Sequence, residues 1–293
     1  MALQQISIPF GQPPAYERAR APIAESGPAW AAACKDDDEW DAPGPPVRLH
    51  GNSYYVGTCG ISAILITGSA GHILIDGGTA AGADLIADNI RALGFRLGDV
   101  RYILHSHEHY DHVGGLARLQ QLTGATVVAS AAAAPVLASG QPGRDDPQAG
   151  ILKPFAPVRV DRIIGDGQMV RLGELQLTAI ATPGHTAGAL SWRWESCDGG
   201  VCRTMVYADS LSPVSREGYR FSDHRAALAA FRASIAKIGS GRCEILLTPH
   251  PSASGFRARL LAGRTLLDES GCRTFAAAKT RALDERLAKE AAK

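Results

Sequence analysis

From Val47 onward the chain is built of short apolar runs bounded by glycine: YYVG at 54–57, ISAILIT at 61–67, GHILIDGG at 71–78 and VRYILHSH at 100–107. Their β-branched and aliphatic residues alternate with polar ones or stand unbroken, which predicts strands. Between them, Asp84 to Leu93 places Leu85, Ile86, Ile90 and Leu93 on one helical stripe that stops at Gly94. A second helix is expected over His112 to Leu122, and ATVVAS at 125–130 reads as a further strand. GQPGRDDPQAG at 140–150 carries every turn signal, and a loop of that length beside a site can form a substrate wall. The second half repeats the scheme with strands over Val158–Ile164, Leu175–Thr182, Ala189–Glu195 and Met205–Tyr207, then an amphipathic helix over Asp223–Ile238 and the apolar run CEILLTPHP at 243–251. Helices over Arg257–Glu269 and Arg273–Ala292 close the chain, the last so highly charged that a surface position is expected. Two strand-rich halves, each followed by helices, predict an α/β fold with a sheet-on-sheet core and helices on both outer faces. Residues 1–46, rich in proline, alanine and acidic groups, with a helical stretch around Pro28 to Lys35 and with Trp30 and Trp40, read as an N-terminal arm packed on a single domain spanning 47–293.

Composition narrows the partners. The 293 residues are 45% hydrophobic and 20% charged, and 30 basic against 29 acidic side chains leave a formal charge of +1. Nothing at the level of the whole chain favours nucleic acid or an anionic membrane, so a small molecule is the expected partner. The longest apolar stretches, such as Ile61 to Thr67, fall far short of the roughly 20 residues a bilayer-spanning helix needs. The first residues lack the basic start, apolar core and small-residue cleavage site of a secretory signal, as expected for a cytosolic chain or for one whose signal has been removed.

The six cysteines form no CxxC pair. Cys197 and Cys202 flank Asp198-Gly199-Gly200, which suits a hairpin clip better than a zinc ribbon. Cys243 precedes an apolar strand and Cys272 follows a predicted helix; pairing these two would leave Cys34 and Cys59 for each other. Three pairs would mean an oxidising compartment, while composition alone leaves six reduced, buried thiols an equal alternative.

The chemistry concentrates in Leu104-His105-Ser106-His107-Glu108-His109-Tyr110-Asp111-His112, where a predicted strand gives way to a helix. His107 and His109, two apart, project from one side of extended backbone and can share a metal. Asp111 and His112 follow at the helix start, where a carboxylate is favoured by the helix dipole. Catalytic zinc takes three protein ligands and leaves a position for water, so two ions require about six side chains. His185, in Thr182-Pro183-Gly184-His185-Thr186, and His250, in Thr248-Pro249-His250-Pro251, complete that number from turns that follow apolar strands. His50, His72, His105 and His224 are read as hydrogen-bonded structural or surface residues. Three imidazoles and a carboxylate packed together without a metal would leave donors and charges competing.

The His-x-His-x-Asp-His string, with Asp76-Gly77-Gly78 upstream and Pro-Gly-His-Thr-x-Gly downstream, resembles the metallo-β-lactamase superfamily over nearly the whole chain after residue 47. NSYYVGTCGISAILI, LHSHEHYDHVGG, YADSLSP and LLTPHP resemble in particular the third subclass of class B β-lactamases. The resemblance implies a four-layer αβ/βα sandwich holding two zinc ions, Zn2+, per chain. His107, His109 and His185 would bind the first, and Asp111, His112 and His250 the second. It implies hydrolysis of the β-lactam amide of penicillins, cephalosporins and carbapenems by a zinc-bridging hydroxide that Asp111 orients. Ser210 and Ser212 would bind the substrate carboxylate, with Gln148 and Trp40 lining the groove. Some members carry three disulfides placed like Cys34–Cys59, Cys197–Cys202 and Cys243–Cys272, which implies the periplasm; the expected partner is a small β-lactam and the expected state a monomer. In thioesterase and lactonase relatives an aspartate at the position of Asp209 bridges both metals, whereas in the β-lactamase subclass it would support the ligands. A lactonase, a thioesterase and a non-catalytic zinc-binding protein are the alternatives.

Overall fold

In the computed structural model, residues 23–36, 39–262 and 266–292 are described; residues 1–22 of the expected arm lie outside them. The first helix, α1 (Ile23–Ala33), runs through Pro28 rather than starting there. Seven strands then form one sheet in sequence order: β1 (Val47–His50), β2 (Ser53–Tyr55), β3 (Ile64–Gly68), β4 (Gly71–Ile75), β5 (Val100–Leu104), β6 (Thr126–Ala129) and β7 (Arg162–Ile163). The first four pair antiparallel through hairpins, and β4 to β7 pair parallel. The parallel connections carry α2 (Gly82–Ala92), and α3 (Tyr110–Val113) with α4 (Leu116–Thr123). After β6 comes α5 (Ala133–Ser139).

The second sheet has five strands in the order β12-β11-β10-β9-β8, from β8 (Met169–Leu172), β9 (Leu175–Ala181), β10 (Leu190–Asp198), β11 (Val201–Tyr207) and β12 (Ile245–Leu247). The hairpin between β10 and β11 turns on Gly199 and Gly200, both at positive φ (54° and 84°), which two-residue hairpin turns require. That turn places Cys197 opposite Cys202, and the two form a disulfide. Between β11 and β12 lies α6 (Arg225–Ser240); α7 (Phe256–Leu261) and α8 (Gly271–Ala291) follow.

Three apolar clusters account for the four layers. Between the sheets, Ile64, Ile66, Ile73 and Ile75 from one side meet Leu177, Trp192, Trp194, Met205 and Tyr207 from the other. On the outer face of the large sheet, Leu65, Leu74, Ile103 and Val127 pack under Ile86, Ile90, Leu116 and Leu119. On the outer face of the small sheet, Val206 and Leu246 pack under Phe231, Ile235, Phe275 and Leu283 of α6 and α8. The alternation of these side chains sends neighbours in one strand to opposite faces, so each sheet is covered twice. The fold is the expected αβ/βα sandwich.

Several elements differ from the sequence reading. The helix expected over His112–Leu122 is broken at Gly114-Gly115, because that turn lies against the Asp76-Gly77-Gly78 loop. A Cβ on Gly115 would stand 2.2 Å from the Gly77 carbonyl, and Gly115 N–H donates to Gly78 O at 3.0 Å. Only Arg162–Ile163 of the expected 158–164 strand is in ladder register; Val158 turns its N–H to Leu137, while the flanking Asp161 and Ile164 donate to Val127 and Ala129 of β6. Helix α5 and strand β8 were not anticipated. The helix expected over Arg257–Glu269 ends at Leu261; residues 263–265 of it lie outside the described residues, and Leu266 is buried in the inter-sheet cluster while Asp268 N–H donates to Glu244 O. The last helix is no mere surface element, because Cys272, Phe275, Ala276, Leu283 and Glu290 are buried.

The fold brings the carboxyl ends of β4, β5, β9, β11 and β12 to one edge of the sandwich, the edge where ligands collect on open α/β sheets. Three disulfides tie segments together: Cys34–Cys59, buried in the inter-sheet cluster, Cys197–Cys202 and Cys243–Cys272. The last closes a separation of 29 residues and ties the start of α8 to the approach to β12. Replacing both Cys243 and Cys272 by serine is predicted to cost about 3–4 kcal/mol of unfolding free energy in the chain-entropy account. Urea unfolding of the oxidised protein checks this, and a loss below about 1 kcal/mol would contradict it.

Candidate metal centre

Every candidate ligand sits just beyond a strand end. His107, His109, Asp111 and His112 follow β5, His185 follows β9, and His250 follows β12. Two inter-sheet bonds fix the first of these turns: Trp192 Nε1–H donates to His105 O at 2.9 Å, and Leu190 N–H donates to Ser106 O at 2.7 Å. Glu108, pointing away from its histidine neighbours, accepts Thr186 Oγ–H at 2.7 Å and Gly188 N–H at 2.9 Å, locking the β5 turn to the His185 turn. Asp76, at the end of β4, holds φ +63°, a left-handed conformation that costs a non-glycine residue of order 1 kcal/mol. Its carboxylate accepts Ser106 N–H at 2.6 Å, Ser106 Oγ–H at 2.7 Å and Tyr207 OH at 2.8 Å, so the strained position is held by three bonds across both sheets.

The imidazoles are oriented from outside the cluster. His107 Nδ1 pairs with Asp209 Oδ1 at 2.8 Å, His109 Nε2 with Asp146 Oδ2 at 3.0 Å, and His185 Nδ1 with the Ser212 carbonyl at 2.8 Å. One nitrogen of each ring is thereby engaged, which leaves Nε2 of His107, Nδ1 of His109 and Nε2 of His185 to face inward. These three residues offer ligand atoms all within 4.8 Å of one another. Outer partners of this kind fix the tautomer and orientation of metal-binding histidines.

His107, Asp111 and His112 form a second trio within 4.8 Å. Asp111 Oδ2 lies 3.0 Å from His112 Nε2 and 3.3 Å from His250 Nε2, so His250 joins this trio through the shared carboxylate. His250 is the most open of the six, with 35% of its side chain exposed. Neither ring nitrogen of the buried His112 makes a hydrogen bond. A fully buried imidazole set 3.0 Å from the Asp111 carboxylate and 3.7 Å from that of Asp76, without hydrogen-bond geometry to either, fits a metal ligand.

Protonation agrees with that fit for His107, His185 and Asp111. Burial lowers His112, but the Asp111, Asp76 and Asp209 carboxylates outweigh it and raise it overall, negative charge that a bound cation would take up. Burial, reinforced by the neighbouring imidazoles, holds His107 and His185 well below the usual histidine range, so both are neutral with lone pairs available. Burial pushes Asp111 upward, but His112 and His250 outweigh it and keep the carboxyl ionised. His105, with burial lowering it to about 4, is a neutral structural residue whose Nε2 accepts Ser130 N–H, as the sequence reading expects.

Of the other candidates, Gln148 reaches the cluster, its Nε2 3.5 Å from His109 Nδ1. Ser212 lies against His185 through its carbonyl, and Ser210 is buried with a hydroxyl that has no partner. Trp40 is 45% exposed, and among the described residues no hydrogen bond or ring contact joins it to the ligands. The sequence reading gave no role to Asp146, Glu108 or Asp76. Glu108 carried one usable signal, a carboxylate between two candidate ligands on the opposite side of the strand; Asp146 in its loop carried none.

A family model described as the metallo-beta-lactamase superfamily matches residues 56–235. Among solved structures, the chain is similar to the MIM-2 metallo-beta-lactamase, at 55% identity and a TM-score of 0.87 over 90% of this chain and 98% of that one. It is also similar to MIM-1 from Novosphingobium pentaromativorans, at 47% identity and a TM-score of 0.88 over 90% and 98%. A subclass B3 metallo-beta-lactamase from a soil metagenome library, MEM-A1, matches at 45% identity and a TM-score of 0.83 over 87% and 99%. A hydroxyacylglutathione hydrolase from Bradyrhizobium sp. (strain ORS 278) is 32% identical over 133 residues, 43% of each chain, so this chain spans under half the length of that relative.

If Asp209 orients His107, replacing it by alanine leaves Nδ1 without its acceptor and is predicted to lower zinc affinity about 10–100-fold. Competition with a chromogenic chelator measures this; an affinity within about twofold of the parent would remove Asp209 from the centre's support.

Proposed function

The chain belongs to the metallo-β-lactamase superfamily, in its subclass B3, and we propose that it is a zinc-dependent β-lactamase opening the lactam amide of penicillins, cephalosporins and carbapenems. The observation that carries the reading is the pair of convergent ligand trios joined at His107, in which the neutral imidazoles of His107 and His185 and the ionised Asp111 carboxylate converge. In this proposal His107, His109 and His185 hold one Zn2+, and Asp111, His112 and His250 hold a second. When bound, such ions lower the pKa of a water toward neutrality and polarise a carbonyl.

The chain's own groups would do the rest. Asp111, ionised and shared between His112 and His250, would orient the attacking water as well as bind metal. Ser210, with its unpartnered buried hydroxyl, would donate to the substrate carboxylate, and so would Ser212 on turning its hydroxyl from the Ser210 carbonyl it now meets at 3.2 Å. Gln148 would line the groove from the 140–150 loop, and the exposed Trp40 would form its outer lip. The structural likeness to MIM-2, MIM-1 and MEM-A1 over nearly their full lengths supports the β-lactam as substrate.

Asp209 favours this reading over a thioesterase or lactonase, because its carboxylate is spent on the outer nitrogen of His107 instead of standing between the ligand sets. The matches to hydroxyacylglutathione hydrolases cover a smaller part of the chain. A purely structural metal role would call for a closed set of four protein ligands rather than two trios. Three disulfides support residence in an oxidising compartment, here proposed to be the periplasm, and no described helix is long and apolar enough to cross a membrane. We place residues 47–293 in one catalytic unit acting as a monomer, with the described part of the arm, residues 23–36 and 39–46, packed on it; Trp30, Ala31 and Cys34 in the inter-sheet core support that packing.

The expected result is turnover of a chromogenic cephalosporin that EDTA abolishes and added zinc restores. In the same assay, His112→Ala should remain folded by circular dichroism and lose at least about a hundredfold in kcat/KM, roughly 2.7 kcal/mol of transition-state stabilisation. Hydrolysis of a glutathione thioester or an acyl lactone without any β-lactam turnover would reject the proposal.

A further inference from the structure

The charged face of α8 grips the loop that carries the proposed carboxylate site. Glu290 accepts the N–H groups of Phe221 and Ser222, and Arg286 donates to Ser215 Oγ and Tyr219 O. At the other end of this row, Lys279 Nζ donates to Ser212 Oγ at 2.7 Å and stands 4.9 Å from the centroid of Phe275. Arg286 and Glu290 pair with each other, but among the described residues no carboxylate lies within ion-pair distance of Lys279.

We propose that Lys279 is a specificity-determining residue, whose ammonium supplies the positive charge that selects substrates bearing a carboxylate. The inference rests on the β-lactam reading above. An anion hydrogen-bonded to Ser212 Oγ at about 2.7 Å can be no farther than about 5.4 Å from Nζ, whatever its direction of approach. At that separation, in a partly buried setting, the attraction is weakly screened. Asp209 attracts this ammonium without forming an ion pair with it, so its burial is only partly compensated, and an incoming carboxylate offsets the remainder. Burial lowers Lys279 to about 8, which keeps it mainly cationic at neutral pH. Neutral donors such as Ser210 and Ser212 would accept a carboxylate or its ester nearly alike; the charge on Lys279 discriminates between them.

The test compares a chromogenic cephalosporin with its methyl ester on the parent enzyme, Lys279→Gln and Lys279→Arg. Zinc content and melting temperature are recorded for each protein. Lys279→Gln keeps a hydrogen-bond donor and removes the charge. It is expected to raise KM for the free acid about tenfold with kcat within about twofold, to leave KM for the ester within about twofold, and to be largely reversed by Lys279→Arg. An unchanged KM for the acid would overturn the proposal. So would an equal rise for acid and ester, since Lys279 would then merely hold the Ser212 loop in place. Should Lys279→Gln fail to fold, the arginine variant decides: parent-like preference for acid over ester is required, and loss of that preference overturns the assignment. A parent enzyme that turns over neither compound would reject the β-lactam reading itself, a result distinct from any of these.

Discussion

Burying imidazoles and carboxylates side by side is costly unless every lone pair and every N–H finds a partner. Here the outward halves of three rings find acceptors in Asp209, Asp146 and the Ser212 carbonyl, while their inward halves converge on one another, with Gln148 at 3.5 Å from His109 Nδ1. That asymmetry is the constraint around which the site is arranged. It makes the cluster meaningful only with cations at its centre, and it explains why so much of the polar interior serves to hold turns rather than to touch ligands. Asp76 is the clearest case: strained in its own backbone, it joins the β4 and β5 ends to Tyr207 of the opposite sheet.

The sandwich supplies what such a site needs. Two sheets packed through Trp192, Trp194 and Tyr207 set a rigid edge, and five strand ends deliver their turns to it. Glu108 then welds the turn from the large sheet to the turn from the small one. Fixing both turns before a metal or substrate arrives means that little ordering remains to be done on binding, which is how a preorganised centre gains affinity and rate. Helix α8 extends the same logic outward, because its polar face holds the loop of Ser210 and Ser212 in register with His185.

The candidate ligands were legible in the sequence because their spacing is local. His107 and His109 share a strand side, Asp111 and His112 start the next helix, and His185 and His250 follow apolar runs in proline-bearing turns. The layered architecture was legible for a similar reason, since strand alternation reports which faces are buried. What escaped depends on contacts between distant segments. The break at Gly114-Gly115 exists because another loop passes there, and nothing within 112–122 announces it. Asp146 meets His109 across 37 residues, and the charged final helix looked solvated although Glu290 is buried by the N–H groups of a loop 68 residues earlier. Lys279 belongs to the same group: its significance lies in Ser212, which no helical periodicity could reveal.

The central claim is that two inward-facing ligand sets hold two metal ions, with the outer nitrogens of His107, His109 and His185 already committed. A crystal structure of the zinc-loaded protein, with anomalous difference maps on both sides of the zinc absorption edge, tests it most directly. The account predicts two zinc peaks, one bonded to His107 Nε2, His109 Nδ1 and His185 Nε2, the other to Asp111, His112 and His250, with Asp209 still on His107 Nδ1. A single peak, or an Asp209 carboxylate lying between two metals, would contradict it.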